Sequence, residues 1–316
     1  MGEVQTATGA VDHRELGVTL SHEHLLIASP GLRHSYAWMT DPEAEVDHIA
    51  RELEEAKAAG VRTIVDVTTP DLGREAGLVR LASERAGVNV VVATGIWLDI
   101  PRAFAQATVD DLATLFTREI EVGVGEADCR AGVIKVANSD PPGVREIEER
   151  VLRAAARAAT QTGVPVTTHT GPYTIGREQM RVFADEGLPP HLAAIGHSFT
   201  DDIAYLEDVL GRGHYLSVDH FGQGREQEER VIETIARLCS AGHAARIMLS
   251  HDHVPEASLS SYWPWGGHVE HRSPSLYTYV VREAVPALKR AGVGDADIDR
   301  MLTEAPASFL LGSRSA

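Results

Sequence analysis

Residues 131–170 read AGVIKVANSDPPGVREIEERVLRAAARAATQTGVPVTTHT, and this stretch decides the fold. It opens on an apolar run at 132–136 and closes on another at 165–168. Both are apolar on successive residues, as expected of parallel strands buried on both faces. Between them 144–162 reads as an amphipathic helix. Ile147, Val151, Leu152 and Ala155 fall on one stripe, while Arg145, Glu148, Glu149 and Arg153 can face water. Gly163 follows, and glycine readily takes the left-handed conformation that ends a helix.

The same unit recurs in both directions along the chain. Further strands are expected at 17–20, 63–67, 89–94, 193–196, 215–218 and 246–249, with helices at 43–59, 110–122 and 226–241. Gly60, Gly87 and Gly242 close helices as Gly163 does. Eight strands alternating with helices in 316 residues predict an α/β fold, a (β/α)8 TIM barrel. No Pro/Gly/Ser-rich linker divides the sequence, so 1–316 reads as a single barrel domain. An open doubly wound sheet is the alternative. Against its nucleotide-binding forms, no Gly-x-Gly-x-x-Gly follows the first strand and no Gly-x-x-x-x-Gly-Lys loop occurs.

The net charge of −17 argues against nucleic acid, whose phosphates need a basic face. It equally disfavours an anionic membrane surface, and no apolar run approaches the ~20 residues of a membrane span. With two cysteines, Cys129 and Cys239, and no leader-like start, the expected location is cytoplasmic. Fifteen histidines stand out, and their positions carry the functional reading.

His22-Glu23-His24 follows the first strand directly. Residues i and i+2 of an extended segment point the same way, so both imidazoles can meet one metal while Glu23 points oppositely. Two surface histidines in a loop would look the same. His169, however, ends the fifth strand, His197 the sixth and Asp252 the eighth. A barrel builds its active site at the carboxyl ends of its strands. Five such residues at equivalent positions therefore point to one metal-binding rim. Lys135 lies inside strand four, where a solvated surface lysine does not fit. Beside cations its ammonium would be repelled and desolvated, making the neutral amine accessible. That amine can take up carbon dioxide as a bridging carbamate, or the lysine can pair with Asp252.

The order His-x-His, strand-four Lys, strand-five His, strand-six His, strand-eight Asp resembles the binuclear amidohydrolase superfamily. More narrowly, Gly17-Val-Thr-Leu-Ser-His-Glu-His24, Thr94-Gly-Ile-Trp-Leu-Asp-Ile-Pro101, Arg130-Ala-Gly-Val-Ile-Lys-Val-Ala137, residues 155–170 and Ala194-Ile-Gly-His-Ser198 resemble the bacterial phosphotriesterase family. The similarity spans about residues 9–312. It implies one metal held by His22, His24 and Asp252, a second by His169 and His197, and carbamylated Lys135 between them. Zinc suits this nitrogen and oxygen set best, with cobalt, manganese or iron also acceptable.

The implied activity is hydrolysis of a phosphotriester or related small ester by a hydroxide made available near neutral pH between two cations. Asp252 takes the nucleophile's proton, and His220, after strand seven, resembles the relay histidine that passes it outward. The relay's usual acid position holds Thr200, with Asp201 beside it. Trp97 resembles the aromatic flanking the leaving-group pocket. Tyr262 and Trp263, in the long segment 253–273, would add substrate walls, unless that segment is a packed cover over the rim. Phe221-Gly222 looks more like the lactonases of the family, so a lactonase using the same centre is the alternative. A barrel that binds metal without turnover is a third reading, disfavoured because the whole ligand set is retained. The resemblance also implies a homodimer. Protein purified without chelators should carry two equivalents of divalent metal by elemental analysis, and one or none after reconstitution would contradict a binuclear centre.

Overall fold

Eight parallel strands lie side by side in chain order: β1 (Thr19–Glu23), β2 (Thr63–Asp66), β3 (Asn89–Ile96), β4 (Val133–Asn138), β5 (Val166–Thr170), β6 (Ala193–Ile195), β7 (Tyr215–Asp219) and β8 (Ile247–Ser250). The computed structural model describes residues 2–139, 144–171, 175–224, 227–254, 257–258 and 276–313. Helices α1 (Pro42–Ala58), α2 (Ala76–Ala86), α3 (Val109–Glu121), α4 (Glu146–Thr162), α5 (Gly176–Asp185), α6 (Ile203–Gly211) and α7 (Glu228–Ser240) connect successive strands. This is the α/β TIM barrel expected from the repeated unit. Among the described residues, no helix is long and apolar enough to cross a membrane.

Local chemistry sets the helix ends. Asp41 accepts from Ala44 N at the start of α1, with Pro42 supplying a fixed φ in the first turn. Thr108 and Asp111 form a reciprocal cap on α3. Gly163 ends α4 at φ 74°, in the left-handed region.

Strand alternation sorts the core into two shells. Val65, Val67, Val91, Ala93, Val133, Ala194 and Met248 fill the barrel interior, with Val4, Leu16 and Phe309 in the same cluster. Ile64, Val90, Val92, Ile134, Val136, Leu216 and Leu249 instead belong to the larger core shared with the helices. Val4 comes from an antiparallel hairpin, Glu3–Thr6 with Gly9–Asp12, that apolar periodicity did not reveal.

Two expectations need correction. Six of the eight strands run further toward their carboxyl ends than the apolar runs do, while β2 and β6 stop one residue short, so His22 and Glu23 lie within β1 and do not follow it. The added residues are polar yet paired: His22 N donates to Ser250 Oγ at 2.9 Å, and Asp252 N donates to His22 O at 3.0 Å. Glu148 does not face water. It is fully buried, accepting from Arg145 N at 2.9 Å and from Ser139 Oγ at 2.7 Å.

The seam between β8 and β1 is carried by Glu23. Its buried carboxylate accepts from Ser250 Oγ at 2.6 Å, His251 N at 2.9 Å, His251 Nδ1 at 2.7 Å and His253 N at 2.9 Å. His251 Nε2 accepts from Val280 N at 2.9 Å, which places the ring proton on Nδ1, facing Glu23. Tyr277 adds a hydroxyl bond to His24 O at 2.6 Å. In Glu23→Gln an amide NH2 would confront these donors, and each buried group left unmatched costs about 1–3 kcal/mol. The variant should therefore unfold at lower temperature by calorimetry, and an unchanged midpoint would contradict this account of the seam.

Candidate metal centre

Val133 points into the barrel, so Lys135, two residues further along β4, points inward as well. It is 1% exposed, and its Nζ lies 2.5 Å from His22 Nε2. Gly95 is its register partner on β3, where a Cβ would overlap the Lys135 carbonyl oxygen. Gly196 does the same for the turn that carries His197, since a Cβ there would overlap the Thr168 carbonyl oxygen. These two glycines let the strands close around Lys135 and His197.

His197 (φ 51°), His220 (φ 121°) and Asp252 (φ 54°) all adopt positive φ, which among the described non-glycine residues is otherwise seen at Asp128. Each follows a strand closely and turns sharply to aim its side chain over the mouth. Such conformations cost of order 1–3 kcal/mol each and collect where function requires them.

The side chains converge. Asp252 Oδ1 lies 3.4 Å from His24 Nε2 and 3.8 Å from His22 Nε2, and its Oδ2 lies 3.3 Å from His220 Nε2. His197 Nε2 is 2.6 Å from His169 Nδ1, and the His197 ring stacks on His220 at 4.5 Å. Asp252 is engaged by these histidines, while the Lys135 amine faces His22, so the simple lysine–aspartate pair is not what the structure holds. Among the described residues, three sets of donor atoms each fit within 4.8 Å: His22, His24 and Asp252; His22, His197 and Asp219; and His197, His220 and Asp252. Nitrogens 2.5–2.6 Å apart need a proton or a cation between their lone pairs. Imidazole with carboxylate is a donor chemistry that suits divalent zinc, cobalt, manganese or iron. The residues present therefore fit a metal.

Burial, then the nearby Lys135, lowers the His22 pKa to about 4. Burial also lowers Lys135 to about 8, against the opposing pull of Asp252 and Asp219. For Asp252, burial favours the neutral acid, but the hydrogen bonds of His220 and His24 outweigh it and hold the carboxyl well below its ordinary value. Neutral imidazoles and ionised carboxylates are the forms a metal requires. Asp252 is also the open member, with its side chain 22% exposed while that of His22 is fully buried.

Behind these side chains stands a layer that sequence reasoning missed. Thr68 Oγ1 donates to Asp66 Oδ1 at 2.5 Å and so accepts from His24 Nδ1 at 2.8 Å, leaving His24 Nε2 to face Asp252. Asp219 contacts both His197 Nδ1, at 2.6 Å, and His22 Nδ1, at 3.0 Å. The available signal was position: Asp66 and Asp219 are acids at strand ends, where the candidate ligands also sit.

Trp97 lies just past β3, and its ring meets that of His169 edge-to-face with centroids 5.4 Å apart. Its backbone N–H donates to buried Asp71 at 3.0 Å, a second clamp not foreseen. Asp201 does not extend the proton path. It is paired at the surface with Arg230 Nε at 2.6 Å, and buried His220 Nδ1 has no hydrogen-bond partner among the described residues. Tyr262 and Trp263 lie outside the described residues.

Comparison with known proteins agrees with this arrangement. The sequence profile described as the phosphotriesterase family matches residues 2–310. The chain is 37% identical to a "Phosphotriesterase homology protein" of Mycobacterium tuberculosis, over 97% of each chain. It is 32% identical to an "Aryldialkylphosphatase" of Saccharolobus solfataricus, over 95% of this chain and 96% of the other. A solved structure of the phosphotriesterase from Mycobacterium tuberculosis superposes with a TM-score of 0.90 at 34% identity, covering 99% of this chain and 98% of that one.

The Asp66–Thr68–His24 chain yields a direct test. Thr68→Val removes the acceptor that orients His24, and loss of such a partner typically lowers metal affinity about 10–100-fold. Metal titration of the apo protein should show that weakening, and an unchanged affinity would show that His24 needs no such support.

Proposed function

The chain belongs to the phosphotriesterase family, and from that membership we propose that it is a binuclear metal-dependent hydrolase acting on a small phosphotriester. One observation carries the reading: His22, His24, His169, His197 and Asp252 meet at the carboxyl end of the barrel, around a buried lysine. In this reading His22, His24 and Asp252 hold one ion, and His169 and His197 the other. Lys135 would serve both ions as a carbamate, formed when its neutral amine adds to carbon dioxide and loses a proton. The lowered lysine pKa supports that step, because it makes the unprotonated amine accessible.

Bound divalent ions supply Lewis acidity and lower the pKa of water at such a site. The chain's own groups then move the proton and place the substrate. Asp252 is the partly exposed carboxylate at the mouth and accepts the proton of the attacking water. His220 Nε2, 3.3 Å from Asp252 Oδ2, receives it next. Trp97 provides an apolar wall beside His169 against which an aryl leaving group can lie.

A lactone carbonyl suits the same centre, and the Phe221-Gly222 pair after β7 favours this second reading by its likeness to lactonases. The Phe221 ring is fully buried against Phe199, 5.0 Å away, so it shapes the loop from beneath.

Steady-state kinetics on an aryl phosphotriester and on aliphatic lactones decide between the two. Higher kcat/KM for the phosphotriester supports the proposal, and turnover of lactones alone overturns it. Lys135→Ala should lose both metal and activity, with rescue by a short carboxylic acid; full metal occupancy in that variant would refute the bridge. Trp97→Ala should change the ratio of the two kcat/KM values by about 10–200-fold, or ~1–3 kcal/mol, with metal content intact. Equal losses on every substrate would remove Trp97 from the pocket.

A further inference from the structure

Asp219 closes β7 and is fully buried. Its Oδ1 accepts from His197 Nδ1 at 2.6 Å. Its Oδ2 accepts from the His197 backbone N–H at 3.1 Å and from Ser217 Oγ at 2.9 Å. The same Oδ2 lies 3.0 Å from His22 Nδ1, a contact that is close but off the ideal hydrogen-bond direction. His22 arises from β1 and His197 from the turn after β6, so one carboxylate reaches ligands supplied by opposite parts of the chain.

An ionised carboxylate can only accept, so a ring bonded to it through Nδ1 carries its proton there and leaves Nε2 bare. The His22 side is compatible with this, because Nε2 lies 2.5 Å from Lys135 Nζ, which as an ammonium donates to a bare Nε2. Asp219 differs in this from the Asp66–Thr68 chain, which reaches His24 alone.

We propose that Asp219 is a positioning residue that holds His22 and His197 at once with Nδ1–H inward and Nε2 free, and so couples the two metal positions. The inference rests on the assignment of His22 to one ion and His197 to the other. With a cation held at Nε2 of either ring, that ring's Nδ1–H would be polarised toward the shared carboxylate. The carboxylate in turn orients the other ring. Asparagine cannot replace it. An amide offers one accepting oxygen and one donating NH2, so one of the two rings must turn away or carry its proton on Nε2, where the proton blocks ligation.

Calorimetric titration of the full-length apo protein with Zn²⁺ tests this, comparing wild type, Asp219→Asn and Thr68→Val. Wild type should take up two equivalents. Asp219→Asn should weaken both, each by about 10–100-fold, the usual effect of losing a ligand's supporting partner. Thr68→Val should weaken one. Asp219→Asn weakening a single equivalent, or neither, overturns the coupling while leaving the binuclear reading intact. Fewer than two equivalents in wild type overturns both. Should Asp219→Asn fail to fold, the wild-type apo protein still decides. In spectra of ¹⁵N-histidine-labelled protein, with the two rings assigned by their loss in His22→Gln and His197→Gln, both should be Nδ1–H tautomers. An Nε2–H tautomer on either ring overturns the proposal, and a purely structural carboxylate would not dictate the tautomer of both.

Discussion

The site depends on how the barrel closes between its first and last strands. Glu23 carries that closure, with one buried carboxylate collecting donors from Ser250, His251 and His253. Because side chains alternate along a strand, the residue that holds the seam sits between the two histidines that point into the barrel. The seam also fixes Asp252, whose backbone N–H is bonded to His22 O. Loosening the closure therefore moves His22, His24 and Asp252 relative to one another.

A second consequence of alternation is that the converging histidines and Asp252 rest on a buried polar layer. Buried carboxylates are costly unless they are paired, and here Asp219 and Asp66 are paired with the groups that orient histidines. The same bonds that make burial tolerable also select the ring tautomers. Stability and preorganisation are thus served by the same contacts, so deleting one of them affects both.

The strain at His197, His220 and Asp252 is a cost the fold must offset. It is offset by the two apolar shells, one inside the strands and one between strands and helices. Gly95 and Gly196 lower that cost where neighbouring strands approach too closely for any side chain. The most strained residues stand at the mouth, while the closely packed ones lie beneath. That division lets a barrel carry chemistry at one end without weakening its core.

The repeated β-α-β unit was readable from the sequence because burial on both faces leaves unbroken apolar runs, and the glycines that end helices mark the spacing. His22, His24, Lys135, His169, His197 and Asp252 were readable as a set because chain order alone puts them at strand ends, or inside an apolar strand. The polar carboxyl ends of the strands were not, since apolar periodicity stops where the polar side chains begin. Nor was the role of Glu23, whose partner Ser250 is 227 positions away, or the double contact of Asp219. Sequence by itself determined the architecture and which residues gather at the carboxyl end of the barrel, because both follow from local pattern and order along the chain. Tertiary structure alone decided which carboxylate orients which ring, because those partners meet only when the barrel closes.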